Sequence, residues 1–176
     1  MSVEHKININ EDKYENAVLY FIKYCNNPYL GKVKLNKLLY YLDFISFRDH
    51  GCSITGDEYI NKEFGPVPKS LDGILSSLTQ EGTLEINQPT YKDGHTNSYK
   101  HLQEPNIEVF NEYEKILLER ICKEFFNWNT DKIVAQTHLE APWFYSKPYN
   151  GVDYKYASDI EFFEDISNGK RIQLAG

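Results

Sequence analysis

Between Val33 and Asp49 the chain reads VKLNKLLYYLDFISFRD, and on a helix its apolar side chains fall on almost every side. Leu35, Leu38, Leu39, Leu42 and Ile45 mark one face, while Tyr41, Phe44 and Phe47 carry apolar surface round the flanks. A helix that is apolar nearly all round must be buried nearly all round. The remaining elements therefore have to be arranged about this one, with Gly51 ending it. Downstream, after ITGDEY, comes Phe64-Gly65-Pro66-Val67-Pro68. Two prolines in three residues make this elbow stiff before anything packs on it. It serves as a connector fixing the angle between two helices, as an aromatic-proline ridge for a partner, or as both, because stiff backbone loses little entropy on binding.

Other elements follow from periodicity and capping residues. Asn10 caps a first helix, with Glu11 and Asp12 at its positive end; Tyr14, Ala17, Val18, Phe21, Ile22 and Cys25 form its stripe, and Asn26, Asn27 and Pro28 end it. Ile54 to Glu63 reads as a strand or an extended connector. Pro66 biases Gly65 toward extended backbone, and Pro68 suits the first position of a third helix. That helix carries Leu71, Ile74, Leu75 and Leu78 and stops at Gly82. Thr83–Ile86 and Ser98–Leu102 read as strands joined through Asp93-Gly94, a hairpin signal. Asn111 caps a fourth helix to about Phe126, with Tyr113, Ile116, Leu117, Ile121 and Phe125 inward. Thr130 caps a short fifth helix that Pro142 stops. Ser146–Tyr156 reads as a loop, and a last helix spans Ser158–Ile166. The expected fold is mainly α with a small β element (α+β). A helical core surrounds the buried central helix, and a helix plus β-hairpin at Ser70–Leu102 has a winged-helix-like pattern. We read residues 1–176 as a single domain, since no boundary, repeat or low-complexity tract interrupts them.

Charge narrows the function classes. The formal net charge is -7, with 9 basic and 12 acidic side chains in residues 1–88 and 10 and 14 in residues 89–176. Neither half is basic, which argues against a dedicated nucleic-acid binder, because phosphate contacts need clustered Lys and Arg. Lys32, Lys34 and Lys37 form the one basic knot, read as a solvated helix start or a binding rim. Fourteen Tyr and ten Phe mean a tyrosine-rich core or a tyrosine-rich contact face. Cys25, Cys52 and Cys122 contain no C-x-x-C pair, so free thiols in a reducing cytosol are expected. No window approaches 18 uninterrupted apolar residues and no apolar signal core opens the chain, so we expect a cytoplasmic protein without a membrane span.

A search for catalytic patterns returns no phosphate loop, dinucleotide fingerprint, zinc-protease helix or nucleophile elbow. His138-x-Glu140 matches half of a deaminase signature, but no downstream P-C-x-x-C completes it. His138 reads as a histidine bonded to its helix end or as a contact and switch residue; Trp143 reads as a core plug or an interface anchor. Asp43 lies with Asn36, Tyr40 and Phe47 along one helix face. A carboxylate there must be hydrogen-bonded or be costly, so it is a structural acceptor for a Tyr hydroxyl or the following loop, or a site acid without an identifiable partner. We expect no enzyme activity, no cofactor and no metal.

Lys34-Leu35, Lys37-Leu38-Leu39-Tyr40-Tyr41, Gly56, Tyr59 and Phe64–Pro68, followed by Thr137-His138, Glu140 and Pro142-Trp143, together resemble the Panacea domain. This is the SocA-like antitoxin domain also found in phage-associated proteins. The likeness covers about residues 14–145 and is densest at 34–71. It implies the antitoxin half of a bacterial or phage toxin–antitoxin system, neutralising a cognate protein toxin by direct binding. It also admits a role as an adaptor that presents the toxin to a cytosolic protease. The family supplies no agreed catalytic residue. The partner surface expected here combines Lys34, Lys37, Tyr41, Tyr59, Phe64, Pro66 and Pro68, tuned by the Gln88–His95 and Ser146–Tyr156 loops. Asp43, His138 and Trp143 are the expected structural or switch residues. The alternative reading is a winged-helix-like DNA-binding regulator, disfavoured by Lys92 and Lys100 being the sole basic residues of Ser70–Leu102.

Overall fold

The structure is a computed structural model that describes residues 8–27, 30–87 and 98–167. Its element order is α1 (Glu11–Tyr24), α2 (Lys32–His50), β1 (Tyr59–Lys62), β2 (Gly65–Pro68), α3 (Leu71–Gln80), β3 (Leu84–Asn87) and β4 (Ser98–His101). A 3-10 turn (Ile107–Val109), α4 (Glu112–Phe125), α5 (Thr130–His138), α6 (Ala141–Phe144), a second 3-10 segment (Tyr154–Asp159) and α7 (Glu164–Ser167) complete it. The protein is mainly α with two small antiparallel hairpins, β1–β2 and β3–β4.

Helix α2 is the hub. Leu35, Leu38, Leu39, Tyr40, Tyr41, Leu42, Phe44 and Ile45 are fully buried. They pack on α1, α4, α5, β2, the Tyr154–Asp159 segment and α7. Gly51 ends the helix in the left-handed conformation, φ 74, donating its N–H to Phe47 O. The flanking helices are capped as their sequences dictate. Asn10 accepts from Lys13 N, and Asn111 and Glu114 form a reciprocal capping box, which satisfies otherwise orphaned first-turn donors.

Four local readings are corrected. Pro68 does not open α3: Phe64–Pro68 folds back as β2 on β1, with Tyr59 opposite Pro68 and Lys62 opposite Gly65, and α3 starts at Leu71 behind Ser70. Gly65 has φ 103, the left-handed side of backbone space rather than the extended form that Pro66 alone would favour. Asn129, not Thr130, caps α5 by accepting from Lys132 N, and Pro142 lies inside α6, where the first turn tolerates a missing N–H. The expected helix at Ser158–Ile166 is broken, because Phe163 takes φ 59; a 3-10 segment ends at Asp159 and a separate turn begins at Glu164. Strands β3 and β4 pair Leu84 with His101 through Asn87 with Ser98. The Asp93-Gly94 turn and the Gln88–His95 loop lie outside the described residues.

Candidate functional site

The polar residues singled out in the sequence divide into an interior framework and an exposed cleft. Asp43, on the inner face of α2, is 0% exposed. Its Oδ1 accepts from the N–H groups of Ile54 and Thr55 at 2.9 and 2.8 Å. Its Oδ2 accepts the hydroxyls of Thr55 and Tyr59 at 2.5 and 2.6 Å. Burial pushes the Asp43 carboxyl up to about 6, and the four hydrogen bonds hold it from rising further. Asp43 therefore acts as a structural acceptor that pins residues 54–59 to α2. A second buried carboxylate, Asp57, accepts from Tyr14 OH at 2.6 Å and from Ser70 N at 2.9 Å, joining α1 to the entry of α3. Gly56 between them has φ 76, and a Cβ there would stand 2.1 Å from Asn8 O; only glycine lets the chain before α1 pass so close.

Two of the three lysines of the basic knot are not on the surface. Lys34 and Lys37 are both fully buried, which overturns the expected charged rim. Lys37 Nζ donates to Pro66 O at 2.9 Å, and Lys34 Nζ donates to Phe126 O at 3.1 Å. Burial lowers both ammonium groups, Lys37 to about 7. Tyr41 and Tyr59 are likewise interior, and Pro66 and Pro68 are buried. Of the seven residues expected to meet a partner, Phe64 alone is well exposed, at 56%. Among the described residues Lys32 stays at the surface, in an ion pair with Asp72.

Glu140 connects framework to cleft. Its carboxylate, 7% exposed, accepts from Tyr40 OH at 3.1 Å and from Tyr41 OH at 3.0 and 3.1 Å. Gln136 Nε2 donates to it at 3.3 Å. Burial raises Glu140 to about 7, with the Gln136, Tyr41 and Tyr40 hydrogen bonds opposing the rise. His138 points elsewhere. It stacks on Trp143 with ring centroids 3.9 Å apart at 22°, and its Nε2 is buried without a hydrogen-bond partner. Trp143 Nε1 donates to Lys62 O at 3.1 Å, so Trp143 locks α6 onto β1. His138 and Glu140 thus share no site. Among the described residues, no three His, Cys, Asp or Glu side chains gather as metal ligands.

Glu140 forms part of the wall of a cleft of about 620 Å³, between α5–α6 and residues 159–162. Leu139, Phe144 and Tyr145 on its rim are 80, 65 and 62% exposed. Phe162 lines the far side, with Asp159 and Glu161. Arg48 at the end of α2 positions that side, donating to the carbonyls of Ile160 and Phe162 at 2.7 and 2.6 Å. A second cleft, of about 470 Å³, shares Phe144 and continues past Trp143, Pro148 and Tyr149. Asn61 on β1 supports it, donating to the carbonyls of Trp143 and Ser146. Sequence reasoning reached only its edge, through Trp143 and the Ser146–Tyr156 loop, and missed Leu139, Phe144 and Tyr145. The available signal was Leu139, which lies two residues past buried Thr137 and so faces away from the inward stripe of α5.

The antitoxin SocA-like, Panacea domain family matches residues 35–144. That span runs from the second turn of α2 through the end of α6, and so includes the polar framework and the near wall of the cleft. Neither the curated proteins nor the solved structures contain a match.

Proposed function

Because the chain belongs to the SocA-like antitoxin family with a Panacea domain, we propose that it neutralises a cognate protein toxin by direct protein–protein binding, without chemistry of its own. The observation that carries this reading is the run of exposed apolar side chains from Leu139 to Tyr149, four of them 62% exposed or more. They sit on a segment held rigid by Trp143, Asn61 and the α6 turn. Contiguous apolar surface on a stiff support is what a partner-binding site requires. The interior groups do not add a catalytic constellation to it. Asp43, Asp57 and Glu140 each spend their oxygens on hydroxyl, amide and backbone donors within the fold. Phe64, 56% exposed in the turn between β1 and β2, remains from the elbow as a separate exposed contact.

Co-expression with the product of the adjacent gene tests this. Growth should be restored and a stable complex should co-purify. Toxin abundance then separates occlusion from delivery to a cytosolic protease: unchanged abundance fits occlusion, and loss that depends on a protease fits an adaptor. Failure of rescue by the wild-type chain would refute the antitoxin reading.

One observation favours a DNA-binding regulator, namely that α3 is followed by the β3–β4 hairpin. The charge of α3 opposes it, since LDGILSSLTQ contains Asp72 and no basic residue. A helix with that composition repels phosphate rather than seating in a groove.

A further inference from the structure

The lining of the larger cleft carries a charge pattern that its apolar rim does not explain. Leu139, Ala141, Phe144, Tyr145 and Phe162 supply apolar and aromatic surface, Gln136 a polar amide, and Glu140, Asp159 and Glu161 three carboxyl groups. No Lys, Arg or His lines the cleft. Several exposed acids elsewhere are matched, Glu58 with Lys69, Asp165 with Arg120 and Glu104 with Lys23. Asp159 and Glu161 enter no ion pair among the described residues. Aromatic faces beside unmatched carboxylates make a poor seat for phosphate and a good one for a guanidinium, which stacks on rings and bonds carboxylates two at a time.

We propose that this cleft receives an arginine-bearing, otherwise apolar segment of the toxin, with the guanidinium set among Phe144, Tyr145 and the carboxylates of Asp159 and Glu161. The proposal rests on the antitoxin reading above and names the chemistry of its partner. Charge complementarity selects this occupant over a second copy of the chain, which has a net charge of -7 and would bring more negative charge to a negative cleft. The segment's apolar residues cover Leu139 and Phe144, and its arginine meets carboxylates carried on a backbone already fixed in place. Arg48 holds the backbone beside Asp159 and Glu161 through the carbonyls of Ile160 and Phe162.

The test uses the full chain and the purified product of the adjacent gene, with affinity measured by calorimetry and neutralisation by growth. Asp159→Lys with Glu161→Lys reverses two exposed charges that no internal ion pair uses, so the fold is retained, as circular dichroism checks. A control pair, Glu85→Lys with Glu124→Lys, changes the net charge equally on other exposed surface. We expect the cleft variant to bind at least tenfold more weakly and to lose rescue, and the control to stay within about twofold, since specific contacts rather than net charge set affinity. Leu139→Ser should weaken binding in the same direction. If the wild type rescues growth and both cleft variants bind within twofold of it, the cleft proposal falls while the antitoxin reading stands. If cleft and control variants weaken binding alike, the effect is net charge and the proposal also falls. If the cleft variants change self-association in light scattering while leaving toxin affinity intact, the occupant is a second copy and the proposal is overturned. If the wild type itself neither binds nor rescues, the reading beneath it has failed.

Discussion

Replacing Asp43 by alanine measures how much the buried framework contributes. The carboxylate accepts from two backbone N–H groups, Ile54 and Thr55, and from the hydroxyls of Thr55 and Tyr59. In Asp43→Ala the two amides lose their acceptor, since the site is closed to solvent. Each orphaned buried donor costs about 1–3 kcal/mol. The Tyr59 hydroxyl, also buried, is stranded with them. Against this, the wild-type carboxylate carries a burial penalty. Raising it from 3.8 to about 6 corresponds to about 3 kcal/mol near neutral pH, which the alanine removes together with the charge-assisted bonds that partly offset it. The net expectation is a loss of about 2–5 kcal/mol, read as a lower urea midpoint with an unchanged slope. Asp43→Asn keeps an acceptor for both amides and should lose less than the alanine. It should also remove a pH dependence. With its folded value raised, Asp43 favours the fold below about pH 4 and loses that contribution as pH rises through about 6, and the asparagine has no such window. An alanine variant within about 1 kcal/mol of wild type, or an asparagine variant less stable than the alanine, would refute the account of Asp43 as the acceptor that pins residues 54–59.

Further expectations follow from other parts of the framework. Leu39→Ala, at a fully buried α2 position, should lose about 2–5 kcal/mol in urea denaturation, and a loss under about 1 kcal/mol would mean that α2 is not the packing centre. Gly65→Ala places a Cβ 2.7 Å from Lys37 Cε and Thr137 Oγ1 at φ 103; strain of about 1–3 kcal/mol plus a displaced Lys37 should lower the melting temperature, whereas an unchanged value would contradict the close approach. Taken together, Glu140 and Asp43, both raised by burial, lose their contribution as pH rises through about 7 and 6, and Lys37, lowered to about 7, loses its own as pH falls through that value from above about 10. These three groups should make stability dip near neutrality, so urea midpoints at about pH 5.5, 7 and 9 should be lowest in the middle, and a maximum there would argue against buried ionisation at these sites. Binding to duplex DNA at about 0.15 M salt should be weaker than about 1 µM; a tight band shift would favour the regulator.

The centre of the fold was legible because the apolar residues of α2 encircle the helix, and no other packing satisfies such a pattern. The capping of α1 and α4 was legible for a local reason, since Asn10 and Asn111 need only the backbone three residues on. Lys34 and Lys37 were misjudged because lysine is normally exposed; the carbonyls that receive them, Phe126 O and Pro66 O, lie 92 and 29 residues away. Pro68 was misplaced for the same kind of reason, as its role is set by the pairing of β2 with β1. The cleft was invisible because its walls come from residues 136–145 and 159–162, and the backbone reversal at Phe163 near its far side has no glycine to announce it.

The ties that α2 makes also set a timetable for synthesis. Tyr40 and Tyr41 find their acceptor 100 and 99 residues later, at Glu140, and Arg48 bonds carbonyls 112 and 114 residues on. At about 5–20 residues per second, a ribosome needs roughly 5–20 s to supply that acceptor. Throughout that interval α2 has been made but Tyr40, Tyr41 and Arg48 lack the partners that close its far side. A growing chain is therefore open to proteases and chaperones until the stretch around Ile160–Phe163 emerges. Slow codons between α2 and that stretch would lengthen the exposed period more than slow codons anywhere before α2.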